Sequence, residues 1–161
     1  MFHTFSDLEV IRIAIEMERR GESFYRRAAR VSRSAETIAL LNALAGDETN
    51  HRAEFERLYR REAEGGLSEA AYDDETNAYL TAIAAEVVFP EGLMGLKDAG
   101  FEDPVAVLAS AIASEKDSIL FYTELQSCTT DAHARSVFGE IARQERGHLF
   151  RLQRQLELIS R

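Results

Sequence analysis

Four stretches of the chain carry apolar residues at the three- and four-residue spacing of a buried helix face, and in each the row is interrupted by an acid. The first runs Leu8, Ile11, Ile15, then Glu18, then Tyr25 and Ala29. The second places Glu48 and His51 among Leu41, Leu44, Phe55 and Leu58. The third is Val105, Leu108, Ile112, then Glu115, then Ile119 and Tyr122. The fourth sets Glu145 and His148 among Phe138, Ile141, Leu152, Leu156 and Ile159. Residues three apart share a helix face, so each Glu-x-x-His pair lies on the side expected to be buried. An unpaired buried carboxylate is very costly, so these acids require partners.

Stop and start signals divide the chain. Ser6-x-x-Glu9 reads as a capping box, and Val31-Ser-Arg-Ser34 supplies a short turn and the next cap. The second helix fades near Glu64-Gly65-Gly66. Asp103 followed by Pro104 is an N-cap with proline at the first helical position, and Thr129 or Thr130 is the expected cap of the last helix. Short loops imply antiparallel neighbours, giving hairpins over residues 6–64 and 104–160. Between them, residues 65–103 are weakly periodic. Tyr72 to Phe89 predicts a further helix stopped by Pro90, and Glu91 to Gly100 is glycine-punctuated loop with one short turn at most. So long a connection suits a crossover running the length of a bundle. The expected fold is all-α: residues 1–161 as a single domain, a four-helix bundle of two hairpins joined by a long, partly helical crossover.

The two hairpins read as an internal repeat. Glu18 and Glu115 are 97 positions apart, as are Glu48 and Glu145, and His51 and His148. Ala14-Ile15-x-x-Glu18-x6-Tyr25 matches Ala111-Ile112-x-x-Glu115-x6-Tyr122, with Phe24 and Phe121 also aligned. Chance would supply about half a Glu-x-x-His match in such a composition, so either motif alone is weak. Both at one offset, each with a core-stripe glutamate 30 positions upstream, are not a chance pattern.

Carboxylates and imidazoles suit hard-to-borderline first-row metals. Four glutamates with two neutral imidazoles carry four negative charges, which two divalent ions would neutralise, removing most of the burial penalty. One Glu from each of two helices plus Glu-x-x-His from each of two others is the ligand set of di-iron and di-manganese carboxylate bundles. The candidate metal ligands are therefore Glu18, Glu48, His51, Glu115, Glu145 and His148.

Composition narrows the setting. At 161 residues, with two prolines and no tryptophan, the chain suits one helical domain. A formal net charge of −9 argues against nucleic acid and anionic membrane surfaces as partners. The start, Met1-Phe-His-Thr-Phe-Ser-Asp7, lacks the pattern of a signal peptide, and no apolar run approaches the roughly 20 residues of a membrane helix. The lone Cys128 excludes an intramolecular disulfide and paired-cysteine motifs. A cytoplasmic protein is expected.

Over essentially its whole length the chain resembles ferritin-like di-iron proteins of the rubrerythrin or erythrin type. The residues that carry the resemblance are Glu18 with Tyr25, Asp47-Glu48-x-x-His51, Glu115 with Tyr122, and Glu145-x-x-His148. The resemblance implies that Glu48 and Glu145 bridge two iron ions (manganese or a mixed pair being the alternatives), with Glu18 and Glu115 terminal and one histidine on each ion. It departs in three places. Rubrerythrins proper carry a second carboxylate where this chain has Ser118, whose repeat mate is Gly21. They commonly carry a rubredoxin-like domain, which this chain lacks, so electrons would come from a separate donor protein. Asp47 is matched in the second half by Gln144.

Other residues admit two readings. Tyr25 and Tyr122 either hydrogen-bond a ligand carboxylate or are core aromatics with solvated hydroxyls. Asp47 either orients a metal-bound histidine of the neighbouring helix or is an exposed helical acid. Glu22 lies on the stripe side, but its repeat mate Ile119 argues against a ligand. Met17 reads as packing, His3 and His133 as surface residues, and Arg19, Arg20, Arg26, Arg27 and Arg30 as a solvated face. Nothing near Cys128 marks it as reactive.

The resemblance implies a di-iron oxidoreductase reducing peroxide or oxygen, although Ser118 in place of a carboxylate counts against peroxide specificity. The alternative is ferroxidase or iron-handling activity with Fe(II) as substrate, for which Asp73-Asp74-Glu75 is either an uptake patch or simply a helix start. A third reading is a purely structural metal. A homo-oligomer is expected, with a dimer favoured.

Overall fold

In the computed structural model, which describes residues 5–65, 72–88 and 98–161, five helices account for most of the described residues. They are α1 (Asp7–Val31), α2 (Ala35–Glu64), α3 (Asp74–Val88), α4 (Pro104–Cys128) and α5 (Ala132–Ile159), with a short 3₁₀ turn at Asp98–Glu102. Each boundary has a local cause. The Ser6 hydroxyl accepts from the Glu9 amide while the Glu9 side chain accepts from the Ser6 amide, completing the capping box. Ser34 caps α2, and Asp103 with Pro104 opens α4. The start of α5 differs from expectation. Thr129 closes α4, and Asp131 is the N-cap, its carboxylate accepting from the Ala134 amide at 2.7 Å. The same carboxylate also pairs with Arg61 of α2, at 2.9 Å.

Helices α1 and α2 form one hairpin and α4 and α5 the other, with α1 against α4 and α2 against α5. Side-chain pairs across both seams run in opposite senses along the two partners: Tyr25 meets Glu115 while Tyr122 meets Glu18, and His51 meets Gln144 while His148 meets Asp47. Both seams are therefore antiparallel, so α2 and α4 run the same way. The chain leaving α2 must travel back along the bundle, roughly 37 Å for a helix the length of α4. Helix α3 covers part of that distance against α1 and α4. Asp73 caps it by accepting from the Thr76 amide, so Asp73-Asp74-Glu75 is a helix start. Phe89, Pro90 and most of the segment expected to be loop lie outside the described residues, as does His3.

The buried faces are rotated slightly from the simplest stripes. Val10, Ile11, Ala14 and Met17 are buried on α1, while Leu8 and Ile15 are half-buried. On α4, Val107, Leu108, Ala111 and Ile112 are buried and Val105 is 43% exposed. Val105 sits in the first turn of α4. The apolar core falls into two clusters. One contains Ile11, Phe55, Leu58, Phe121 and Phe138, the other Phe24, Leu41, Leu44, Leu108 and Leu152. Between them lies a layer of buried acids and imidazoles. Among the described residues no helix is long and apolar enough to cross a membrane.

Candidate metal centre

Glu18, Glu48, His51, Glu115, Glu145 and His148 are all buried, and they come together at the height where the two apolar clusters meet. The helix that carries each residue explains its direction: glutamate and histidine three apart on α2 and on α5 project from one face, and single glutamates on α1 and α4 face them across the bundle. The donor atoms form two overlapping groups. Glu18, Glu48, His51 and Glu145 offer ligand atoms within 4.8 Å of one another, and so do Glu48, Glu115, Glu145 and His148. Glu48 and Glu145 belong to both groups. The two rings lie nearly parallel, centroids 5.4 Å apart.

Both histidines turn Nδ1 inward. His51 Nδ1 is 3.0 Å from Glu145 and 3.3 Å from Glu18. His148 Nδ1 is 2.7 Å from Glu145, 3.2 Å from Glu48 and 3.4 Å from Glu115. These approaches are close but lack hydrogen-bond alignment: both Nδ1 atoms, both Glu145 oxygens, one Glu48 oxygen and one Glu18 oxygen are buried without a hydrogen-bond partner. Orphaned buried polar atoms are expensive and rare. Six such atoms converging on one small space, all of them oxygen or imidazole nitrogen, fit a pair of first-row metal ions.

Around that space the other oxygens are held. Tyr25 of α1 donates its hydroxyl to Glu115 of α4, and Tyr122 of α4 donates to Glu18 of α1. On the outer side, His148 Nε2 is 3.2 Å from Asp47 and His51 Nε2 is 2.9 Å from the Gln144 amide oxygen. Glu22 turns away from the centre to pair with Arg52 at 2.6 Å and Arg26 at 2.9 Å.

Burial and the crowding of like charges shift the proton affinities of these groups. Burial pushes Glu48 well above the usual carboxylate range, reinforced by repulsion from Glu18 and Glu145. Burial and the Glu145 charge raise Glu115 to about 8. Burial opposes an imidazolium at His51 and at His148, but the facing carboxylates outweigh it and raise them to about 11 and about 10. Glu145 moves the other way, because two imidazoliums outweigh its burial. These shifts favour protonation of Glu48, Glu115 and both imidazoles, the same sense of charge compensation that two divalent ions would bring. Burial also holds Tyr25 and Tyr122 in the phenol form, so both remain donors.

Sequence patterning marks Gly21 only as the repeat mate of Ser118 and misses its contact with Glu48. A Cβ there would lie 2.6 Å from a Glu48 oxygen, so any larger residue would force that carboxylate to shift from its place. The available signal is its place one turn after Glu18 on the same face. Gly21, Ser114 and Ser118 border a void of about 20 Å³ at the α1–α4 seam, which Tyr25, Glu48 and Glu115 also line.

An antiparallel four-helix bundle with two carboxylate–histidine groups sharing two glutamates defines the ferritin-like class of helical proteins. The sequence model of the rubrerythrin family matches residues 9–157, and the chain belongs to that family. Two solved structures share the fold at 22% identity. A hypothetical protein from Pyrococcus furiosus superposes with a TM-score of 0.70, over 96% of this chain and 90% of that one. A protein of Thermotoga maritima, described as a ferritin-like diiron-carboxylate protein, superposes with a TM-score of 0.65, over 98% of each chain. No curated protein sequence matches the chain.

Proposed function

We propose that the chain is a di-iron oxidoreductase that reduces peroxide or oxygen. Glu48 and Glu145 would bridge the ions, Glu18 with His51 would complete one position, and Glu115 with His148 the other. The observation that carries this reading is the pair of overlapping donor groups, with six inward atoms that no protein donor or acceptor satisfies. Two ferrous ions bound there would supply the electrons for reducing an O–O bond.

The residues around the centre have separate tasks. Tyr25 and Tyr122 keep their protons at the phenol oxygens and orient Glu115 and Glu18, so each terminal carboxylate is aimed before any ion arrives. The Phe55, Phe121 and Phe138 side of the core and the Leu41, Leu44 and Leu108 side exclude water from the layer. The void beside Gly21 and Ser118 has room for one water-sized molecule and lies against Glu48 and Glu115, a place where a small oxidant could approach the centre. Electrons would come from a separate donor protein.

Metal analysis of the purified protein, followed by rapid mixing of the diferrous form with peroxide and with oxygen, tests the reading. Two irons per chain and a fast optical change with either oxidant are expected. Absence of bound iron, or iron that neither oxidant changes, would overturn it. Continued oxygen uptake with excess Fe(II) would instead assign ferroxidase activity.

A further inference from the structure

The inner parts of the centre exchange between the two hairpins pair by pair, but the outer partners of the two imidazoles do not. His148 Nε2 faces a carboxylate, Asp47, which also accepts from Arg151 at 2.8 Å. His51 Nε2 faces an amide oxygen, that of Gln144, whose nitrogen donates to Glu140 at 2.8 Å. Glu140 can only accept, so the amide nitrogen must point to it and the amide oxygen to His51. Asp47 and Gln144 are 97 positions apart, each immediately before the glutamate of its Glu-x-x-His motif. The two outer partners therefore differ in charge at equivalent places.

Both partners present an acceptor oxygen to Nε2, Asp47 at 3.2 Å and Gln144 at 2.9 Å, so in both rings Nδ1 is the atom that faces the centre and would bind an ion once its proton is displaced. They differ in how strongly they polarise the ring. A carboxylate behind an imidazole raises its basicity as a ligand more than a neutral amide does. From this, and resting on the dimetal reading above, we propose that Asp47 and Gln144 make the two metal positions unequal, the His148–Glu115 position binding its ion more tightly than the His51–Glu18 position. Asp47 is thus a positioning residue for one ion only.

Two-step binding alone would not establish this, because two cations sharing Glu48 and Glu145 repel and load stepwise even in a symmetric site. The outer partners must be changed one at a time. The probe is Co(II), titrated into the metal-free protein against a competing chelator, with its visible absorption as readout. In the unaltered chain two Co(II) per chain are expected. Asp47→Asn should weaken the tighter step by about 10–100-fold and leave the weaker step within about twofold. The charge-conserving exchange Glu140→Gln/Gln144→Glu should strengthen the weaker step by a similar factor and leave the tighter one unchanged.

Thermal unfolding of the metal-free variants checks that both remain folded. Asp47→Asn weakening both steps equally would show a general structural role and overturn the proposal. Steps unmoved by either change would overturn it as well. Failure of the unaltered chain to bind two Co(II) would instead remove the dimetal reading on which it rests.

Discussion

Tyr122 donates its hydroxyl to Glu18 on the opposite hairpin, although Glu115 lies two turns before it on the same helix face. Two turns are roughly 10.5 Å of rise, beyond the reach of a phenol lying against its own helix. The antiparallel α1–α4 seam brings Glu18 level with Tyr122 and Glu115 level with Tyr25. Each hairpin therefore holds a buried carboxylate of the other, and neither carboxylate–histidine group is complete within one hairpin.

Replacing Tyr122 by Phe leaves a buried Glu18 oxygen without its donor. The metal-free protein is expected to lose about 1–3 kcal/mol of stability, read by urea unfolding. Tyr25→Phe should cost a similar amount through Glu115. A loss below about 0.5 kcal/mol in both would mean that the phenols are packing groups only.

Glu48→Gln should separate binding from stability. Burial already pushes the Glu48 carboxyl far toward its protonated form, so an amide of the same shape removes a strained acid. The metal-free variant is expected to melt above the unaltered chain, while bound iron falls from two ions to one or none, because Glu48 belongs to both donor groups. Glu18→Gln should affect one ion only. Elemental analysis beside thermal melting checks both.

The pH dependence has a definite sign. Folding raises Glu115 to about 8, so the folded state holds a proton that the unfolded chain releases near 4.5, and stability falls as pH rises through that window. The histidine contribution is fully present below 6.5 and is lost as pH rises through about 10 to 11. Metal-free protein should therefore lose stability steadily from pH 5 to pH 10. Metal binding displaces these protons, so affinity should rise over the same range, with proton release on loading in weakly buffered solution. Metal affinity that falls with rising pH would contradict the charge compensation described for this site.

Two helical glycines offer a matched pair. Gly21→Ala puts a methyl group 2.6 Å from a Glu48 oxygen, so this shared carboxylate must move and affinity for both ions should drop at least tenfold. Gly46→Ala meets nothing within 4 Å and should stabilise α2 by about 0.5–1 kcal/mol with metal binding unchanged. Metal titration and urea unfolding of both variants distinguish a steric effect at the carboxylate from a general helix effect.

Much of this molecule is legible without coordinates. The stripes of Leu41, Leu44, Phe55 and Leu58, and of Phe138, Ile141 and Leu152, place α2 and α5 correctly because buried helix faces repeat with the helix itself. Caps at Ser6, Ser34 and Asp103 are equally local, since each side chain satisfies an amide two or three residues away. The cap of α5 is different: three residues in a row were chemically suitable, and contact with Arg61, distant in sequence, accompanies the use of Asp131.

The sequence by itself located the helices and picked out six acids and imidazoles that prove to be buried together, because periodicity and a common offset are properties of a linear pattern. Only the tertiary structure decided which tyrosine serves which glutamate, that Gly21 makes room for Glu48, and that His148 faces a carboxylate where His51 faces an amide. Those relationships cross between helices. They depend on the sense and height at which two seams pack, and nothing along a single strand of sequence records that height.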